Sequence, residues 1–378
     1  MEVLSEIRNH VAFVTLNRPG ALNALSLEMI LRLRTLFGEH SADPEVYAVL
    51  IRGAGEKAFS AGGDIRALYR SFRNGGSLHN DFFAAEYPLD YLLYSYPKPY
   101  AALLDGITLG GGMGISQGSV LRVVGDRTRM AMPEVAIGFF PDVGGSYFLS
   151  RLPGQLGRYL ALTGMQIGAA DALYSRLADL YLPPAAVASI ADDLSQLRWG
   201  NDRFADLKML LRARAAAPPS PAALPAVREC IDAHFSQASV AGILSSLESE
   251  SRGAYAGWAR ETASLMRSRS PTLLGVTLRQ LQRGARMGLA DCFRMELGMA
   301  AYAFEHGDFL EGVRATLIDK DNTPHWQPSR IEDVTDAMID AFFKDRWRGS
   351  AHPLAALESK AADLLRGVAT LKGAASAT

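Results

Sequence analysis

Three loops hold the residues best placed to do chemistry. The first is Asp105–Gly118, DGITLGGGMGISQG, in which three consecutive glycines follow an apolar run and precede a segment able to start a helix. Glycine lets backbone N–H groups approach a ligand closely, and a helix start adds a positive partial charge, so this loop suits an anion or a developing oxyanion. The second, Lys57–Arg66, carries Gly62 and Gly63 and can supply another backbone donor. The third, Ala131–Gly145, places Glu134 and Asp142 eight residues apart in an apolar stretch punctuated by glycine and proline. A carboxyl among Met, Ile and Phe either finds a partner or has its pKa raised, which is what a general acid or base needs.

Plainer readings fit the same residues. The glycine triplet also serves as a tight strand-to-helix corner with no ligand, Asp142 as a helix cap before Gly144-Gly145, and Glu134 as half of a salt bridge. Gly114-Ile115-Ser116-Gln117-Gly118 matches the nucleophile-elbow pattern formally. That motif needs an apolar strand running straight into its serine, and Leu109-Gly110-Gly111-Gly112-Met113 interrupts it. The downstream histidines such a triad would draw on, His234, His306, His325 and His352, lack a telling context. A dinucleotide fingerprint fits badly, because no glycine falls at its third required spacing.

Stepwise β-branched runs should position these loops. Val11 to Leu16 reads as a strand stopped by Asn17-Arg18-Pro19-Gly20, and Val46 to Arg52, Tyr100 to Leu104 and Val120 to Val124 as three more. Ser26 can cap a helix in which Leu27, Ile30, Leu31 and Phe37 recur close to helical spacing. Strands separated by helical segments predict an α/β core. After about residue 185 the β-branched runs give way to Ala/Leu/Arg-rich stretches, so the C-terminal half should be mainly helical. Expected boundaries are a core over 1–195, a mainly helical region over 196–350, and a short helix with a disordered tail over 351–378, the tail beginning at Gly367. Arg214 to Pro225, with four prolines, is expected to be an exposed connection.

Composition narrows the function classes. Thirty-nine basic against forty acidic residues give a net charge of -1, without the electrostatic footprint of a nucleic-acid binder. Cys230 and Cys292 cannot build a disulfide framework and lack the close spacing of a zinc site, so no metal and a reducing compartment are expected. No stretch approaches the ~20 apolar residues of a membrane span and the start has no secretory h-region, so cytoplasm is the expected location.

Taken in order, FSAGGDI, GITLGGGMG and AMPEVAIGFFPDVGGSYFL resemble the signature loops of the crotonase (enoyl-CoA hydratase/isomerase) superfamily. YPKPYAALLDG, LSRLPGQLGRYLALTG, SPTLLGVTLRQL and DFLEGVRATLIDKDNTPHW extend the resemblance over most of residues 1 to 345, and their wording is similar to the branch that hydrolyses 3-hydroxyisobutyryl-CoA. The resemblance implies an α/β fold, a spiral of ββα units forming two roughly perpendicular sheets, with a helical C-terminal region. It implies an oxyanion hole from the N–H groups of Gly63 and Gly111, a catalytic carboxylate at Glu134, a second acid at Asp142, and substrate contacts at Glu86, Ala61, Asp64 and Ile65.

One departure from the wider superfamily bears on reaction type. Hydratases carry a second glutamate two residues after the glycine triplet, where this chain has Gly114, and commonly have glycine where it has Asp142. The resemblance therefore implies hydrolysis of a short-chain 3-hydroxyacyl-CoA thioester, most of all 3-hydroxyisobutyryl-CoA in valine catabolism, over enoyl-CoA hydration or isomerisation. It implies no cofactor, since coenzyme A is part of the substrate, and an acyl-CoA as small-molecule partner. Crotonase relatives often assemble through their C-terminal helices, so a homo-oligomer is an outcome the resemblance allows.

Overall fold

Alternate side chains of four consecutive parallel strands enter different cores, which is why each strand reads as an unbroken apolar run. The strands are β2 (Val11–Leu16), β3 (Ala48–Gly53), β5 (Tyr100–Leu104) and β7 (Leu121–Val124). In a computed structural model describing residues 1–347 and 350–365, they form a sheet ordered β1-β2-β3-β5-β7-β9. β1 (Val3–Arg8) pairs antiparallel with β2, and β9 (Leu180–Tyr181) closes the other edge in parallel with β7. Val14, Val49, Ile51, Ala102, Leu104 and Val124 face the larger core. Phe13, Leu50, Leu103 and Val123 face a smaller one, covered by the helices Pro184–Ser195 and Arg203–Arg214.

A second sheet, of three parallel strands ordered β4-β6-β8, consists of β4 (Ala58–Ser60), β6 (Ile107–Leu109) and β8 (Arg129–Ala131). Each turn of chain adds one strand to each sheet, β3 then β4, β5 then β6, β7 then β8, which is the expected spiral. The β3, β5 and β7 boundaries fall within two residues of those expected. The three-residue strands were not legible, because three residues are too few to display a period of two, and β1, VLSEIR, is an edge strand whose mixed residues show no apolar alternation.

Helix α1 (Leu27–Ala42) begins where expected, with Ser26 Oγ accepting from the Met29 N–H at 3.2 Å. α2 (Ile65–Arg73) and α3 (Leu78–Tyr94) follow β4, α4 (Gly111–Gln117) follows β6, and the single turn α5 (Gly145–Phe148) follows the loop after β8. Beyond β9 the described chain is helical. Its helices Pro271–Gly284 and Leu289–His306 share the larger core with the spiral. The expected proline-rich connection is largely exposed but shorter than anticipated. Ala216 bridges to Tyr181, and Pro225 enters the first turn of the helix Leu224–His234, where no N–H is required. Residues 357–365 are helical, and the tail from Gly367 lies outside the described residues.

Candidate active site

β4, β6 and β8 are neighbours in one parallel sheet, so the three chemistry-bearing loops leave it side by side at the carboxyl ends of their strands, where open parallel sheets bind ligands. The Gly110 N–H donates to the Ala131 carbonyl at 3.3 Å, joining the second loop to the third. Leu25 pins the first loop by accepting from Asp64 N–H at 2.9 Å and donating to the Gly62 carbonyl at 2.8 Å. Gly62, at φ +92°, and Gly110, at φ +47°, occupy backbone conformations that side chains resist. Among the described residues the N–H groups of Gly63 and Gly111 have no acceptor. They are close together: a Cβ on Gly111 would lie 3.4 Å from Gly63 N and 2.5 Å from Glu86 Oε1, so any side chain here must push the Glu86 carboxyl aside. Both glycines line a cavity of about 500 Å³ whose apolar wall includes Phe82, Phe83, Phe139 and Leu317.

Carboxyls form a second wall that meets the glycines closely, since a Cβ on Gly110 would lie 2.8 Å from Glu134 Oε1. Glu134 opens the 3-10 turn Glu134–Ile137 after β8, Asp142 follows eight residues later, and Glu86 comes from the middle of α3. All three are at least 93% buried and open on the cavity. Tyr87, beside Glu86, donates its hydroxyl to Asp142 Oδ2 at 2.8 Å. Asp90, one turn further along α3, is fully buried with neither oxygen partnered among the described residues.

Burial pushes every one of these acids upward, and neighbouring carboxylates add to it at Glu134, Glu86 and Asp90. Glu134 is held well above the ordinary carboxyl range by desolvation and then by Asp142. Glu86 and Asp90 are likewise raised well above it, each by desolvation first and by neighbouring carboxylates second. Desolvation raises Asp142 to about 7, against the opposing Tyr87 hydrogen bond. With no lysine or arginine among the described residues acting on these groups, the cluster cannot ionise fully near neutral pH. It holds shared protons, the condition in which one carboxyl acts as base and its neighbour as acid.

The eight residues named from the sequence all meet in this cavity: Ala61, Gly63, Asp64, Ile65, Glu86, Gly111, Glu134 and Asp142. Asp64 contributes wall but no free carboxylate, because Oδ1 caps α2 at Ala67 N–H and Oδ2 pairs with Arg18 at 3.0 Å. The plainer readings of the carboxyls do not hold. Asp142 accepts from Tyr87 and caps nothing, and Glu134 makes no ion pair among the described residues, its Oε2 being buried without a partner. Ser116 is no elbow nucleophile; it lies buried in α4 with its hydroxyl donated to the Met113 carbonyl.

Sequence reasoning missed Tyr87, Asp90, Gln280 and Glu296. The available signal was polar residues at core-facing positions of otherwise apolar helical stretches. Apart from the cavity, Cys230, His234 and Glu250 bring three donor atoms within 4.8 Å of one another. The Arg252 guanidinium already sits 2.6 Å from Glu250 Oε2 and 3.2 Å from Cys230 Sγ, supplying the positive charge that a metal would.

A family model described as enoyl-CoA hydratase/isomerase matches residues 11–343. The chain belongs to that family. Within the enoyl-CoA hydratase/isomerase family it is 42% identical, over 87% of its length and 85% of the relative's, to a protein from Xenopus tropicalis named 3-hydroxyisobutyryl-CoA hydrolase, mitochondrial. A solved structure titled carnitinyl-CoA dehydratase, from Mycobacterium thermoresistibile, superposes with a TM-score of 0.83 at 38% identity, covering 91% of this chain and 96% of that one. Another, titled enoyl-CoA hydratase, from Rhodobacter sphaeroides 2.4.1, gives 0.81 at 33% identity, covering 92% and 98%. The fold is therefore the crotonase fold of this family. Among the described residues no helix is long and apolar enough to cross a membrane. The Xenopus relative is mitochondrial by name, which does not support a plain cytoplasmic location for a family member of this kind.

Proposed function

We propose that this protein hydrolyses the thioester of a short-chain 3-hydroxyacyl-CoA, with 3-hydroxyisobutyryl-CoA, an intermediate of valine breakdown, as its preferred substrate. The observation that carries the reading is the surroundings of Gly114. A Cβ there would lie 2.6 Å from Val143 Cβ and 2.8 Å from Asp90 Oδ2, so position 114 has no room for a second carboxylate, while Asp142 brings one to the cavity from the loop after β8. Hydration needs a water held against the β-carbon by two acids; hydrolysis needs attack at the carbonyl carbon, beside the oxyanion donors.

In the proposed reaction the thioester oxygen lies between the Gly63 and Gly111 N–H groups, which take up the charge as the carbon becomes tetrahedral. Glu134 either removes a proton from an attacking water or attacks directly and forms an anhydride that water then opens. On both routes the C–S bond breaks and the sulfur leaves as thiolate; with Glu134 as base the acyl group takes a hydroxyl from water, whereas on the anhydride route water attacks the Glu134 carbonyl carbon and the acyl group keeps the former Glu134 oxygen. Asp142 and Glu86 hold the protons that bind the 3-hydroxyl and neutralise the leaving sulfur. Coenzyme A enters as part of the substrate, and the chemistry asks for no further cofactor. The buried free cysteines suit a reducing compartment, whether cytoplasm or the interior of an organelle.

Hydratase activity is the second reading, favoured by the titles of the two superposed structures. Thiol release from 3-hydroxyisobutyryl-CoA, set against loss of enoyl absorbance from crotonyl-CoA, separates the two. Hydrolysis should exceed hydration at least about a hundredfold in kcat/KM, a difference of ~2.7 kcal/mol in transition-state stabilisation. Rapid hydration with no thiol release from any short hydroxyacyl-CoA overturns the proposal. Single turnover in ¹⁸O-water distinguishes the routes, since the anhydride route leaves an enzyme oxygen in the first product.

A further inference from the structure

Asp142 lies on a loop that does not hold itself in place. Val143, β-branched, sits at φ +51° and Gly144 at φ +86°, in the left-handed region. A β-branched residue there is strained and persists only when its surroundings impose it. The imposing contacts come from two C-terminal helices. Glu296, in the middle of Leu289–His306, accepts the Gly144 N–H at 2.8 Å through Oε2 and the Ser146 N–H at 2.9 Å through Oε1. Gln280, on Pro271–Gly284, donates from Nε2 to the Pro141 carbonyl at 2.6 Å and to Ser146 Oγ at 2.8 Å. Both side chains are fully buried. The second helix also touches the loop with its backbone, since a Cβ on Gly284 would collide with the Ser146 carbonyl.

These four hydrogen bonds bracket Asp142, one on the carbonyl just before it and three within the four residues after it. They act on both neighbours that define the site: Asp142, which meets Tyr87, and Val143, which closes the space beside Gly114. A buried acid is a poor way to add stability, because well-packed apolar residues of similar volume often do as well or better. Its use here matches a task that apolar packing cannot do, fixing backbone donors in one geometry.

We propose that Glu296 and Gln280 are positioning residues for the reaction: they set the 141–146 loop so that Asp142 faces the thioester and Val143 excludes a side chain at position 114. The helical C-terminal region thereby takes part in choosing the reaction of a site whose other groups lie on the spiral. This inference rests on the assignment of Asp142 to thioester hydrolysis.

The test uses the full chain carrying Glu296→Gln or Gln280→Met, alone and combined with Asp142→Asn. In Glu296→Gln an amide NH₂ faces one of the two backbone N–H groups, and Gln280→Met removes both donors at similar volume. Each single variant is expected to lower kcat for thiol release about tenfold or more with KM within threefold, and to add no more than about twofold to the loss of Asp142→Asn. Retention of kcat within twofold in both variants, or losses that multiply fully onto Asp142→Asn, overturns the proposal. If one variant does not fold, the other decides. A crystal structure of the surviving variant reads the geometry without catalysis: Asp142 displaced from Tyr87 is expected, and an unmoved loop overturns the inference even if the hydrolase reading stands. Absence of thiol release from the unmodified protein fails the hydrolase reading, while the crystal structure still decides the clamp.

Discussion

The two walls of the cavity are built on different principles. The glycine wall is backbone, assembled from adjacent strand ends of one small sheet, and its donors carry their polarity whatever surrounds them. The carboxyl wall is made of side chains from α3, the turn at Glu134 and the loop at Asp142, braced by C-terminal helices far along the chain. Its chemistry exists only because those pieces exclude water and any cation from one another. Local order suffices for the first wall; the second depends on burial across the whole molecule.

Four measurements would break or sharpen that contrast. Glu134→Gln, nearly isosteric but unable to act as base or nucleophile, should lower kcat at least about a hundredfold with the fold intact by circular dichroism. Turnover within tenfold of the unmodified protein would remove Glu134 from its role. Gly111→Ala tests where the walls meet, because the new methyl would press on Glu86 Oε1. Alanine keeps the backbone N–H, so the effect is crowding of the oxygen's seat between Gly63 N and Glu86, which should lower kcat about tenfold or more while the protein still unfolds cooperatively.

The pH–rate profile comes next. Asp142, raised to about 7, and Glu134, raised well above its ordinary range, should place the acid limb of kcat/KM near neutrality rather than at pH 4–5. Because the Asp142 charge is among the causes that raise Glu134, Asp142→Asn should move the limb of its residual activity to lower pH. A limb at pH 4–5 in the unmodified protein would mean that the acids are not desolvated as the structure shows.

The smallest effect concerns stability. Asp90 has a folded pKa raised well above its unfolded value, so its contribution is fully present below about pH 4 and is lost as pH rises toward the folded value. Asp90→Asn should therefore raise Tm relative to the unmodified protein by more at pH 8 than at pH 4, by at least about 2 °C. An equal shift at both values would place the Asp90 charge in a solvated setting.

How far the site could be read in advance follows from the same contrast. The glycine-rich loops and the acids Glu134 and Asp142 stood out as candidates, because backbone donors after a strand and charge in an apolar loop are conspicuous, but plain structural readings fitted them equally, and the resemblance alone picked out Gly63 and Gly111 as donors and Glu134 as the catalytic carboxylate. Tyr87 and Asp90 were hidden by their helix, where a polar residue has no marked face until the packing of α3 is known. Glu296 and Gln280 lie more than 130 residues from the loop they hold, a relation that no local pattern encodes. The serine of the G-x-S-x-G match shows the reverse: the pattern was present and the geometry for it was not.

By itself the sequence determined the order of the β-branched runs, the helical character of the C-terminal half, the loop glycines and the two acids of the third loop. These depend on steric and hydrogen-bonding preferences of a few adjacent residues. Only the tertiary structure decided that three loops share one cavity, that five acids are stripped of water together, and that Val143 and Asp90 close the space beside Gly114. The reason is that desolvation and charge repulsion are properties of everything within a few ångströms of a group, and those neighbours come from segments that the chain keeps far apart until it folds.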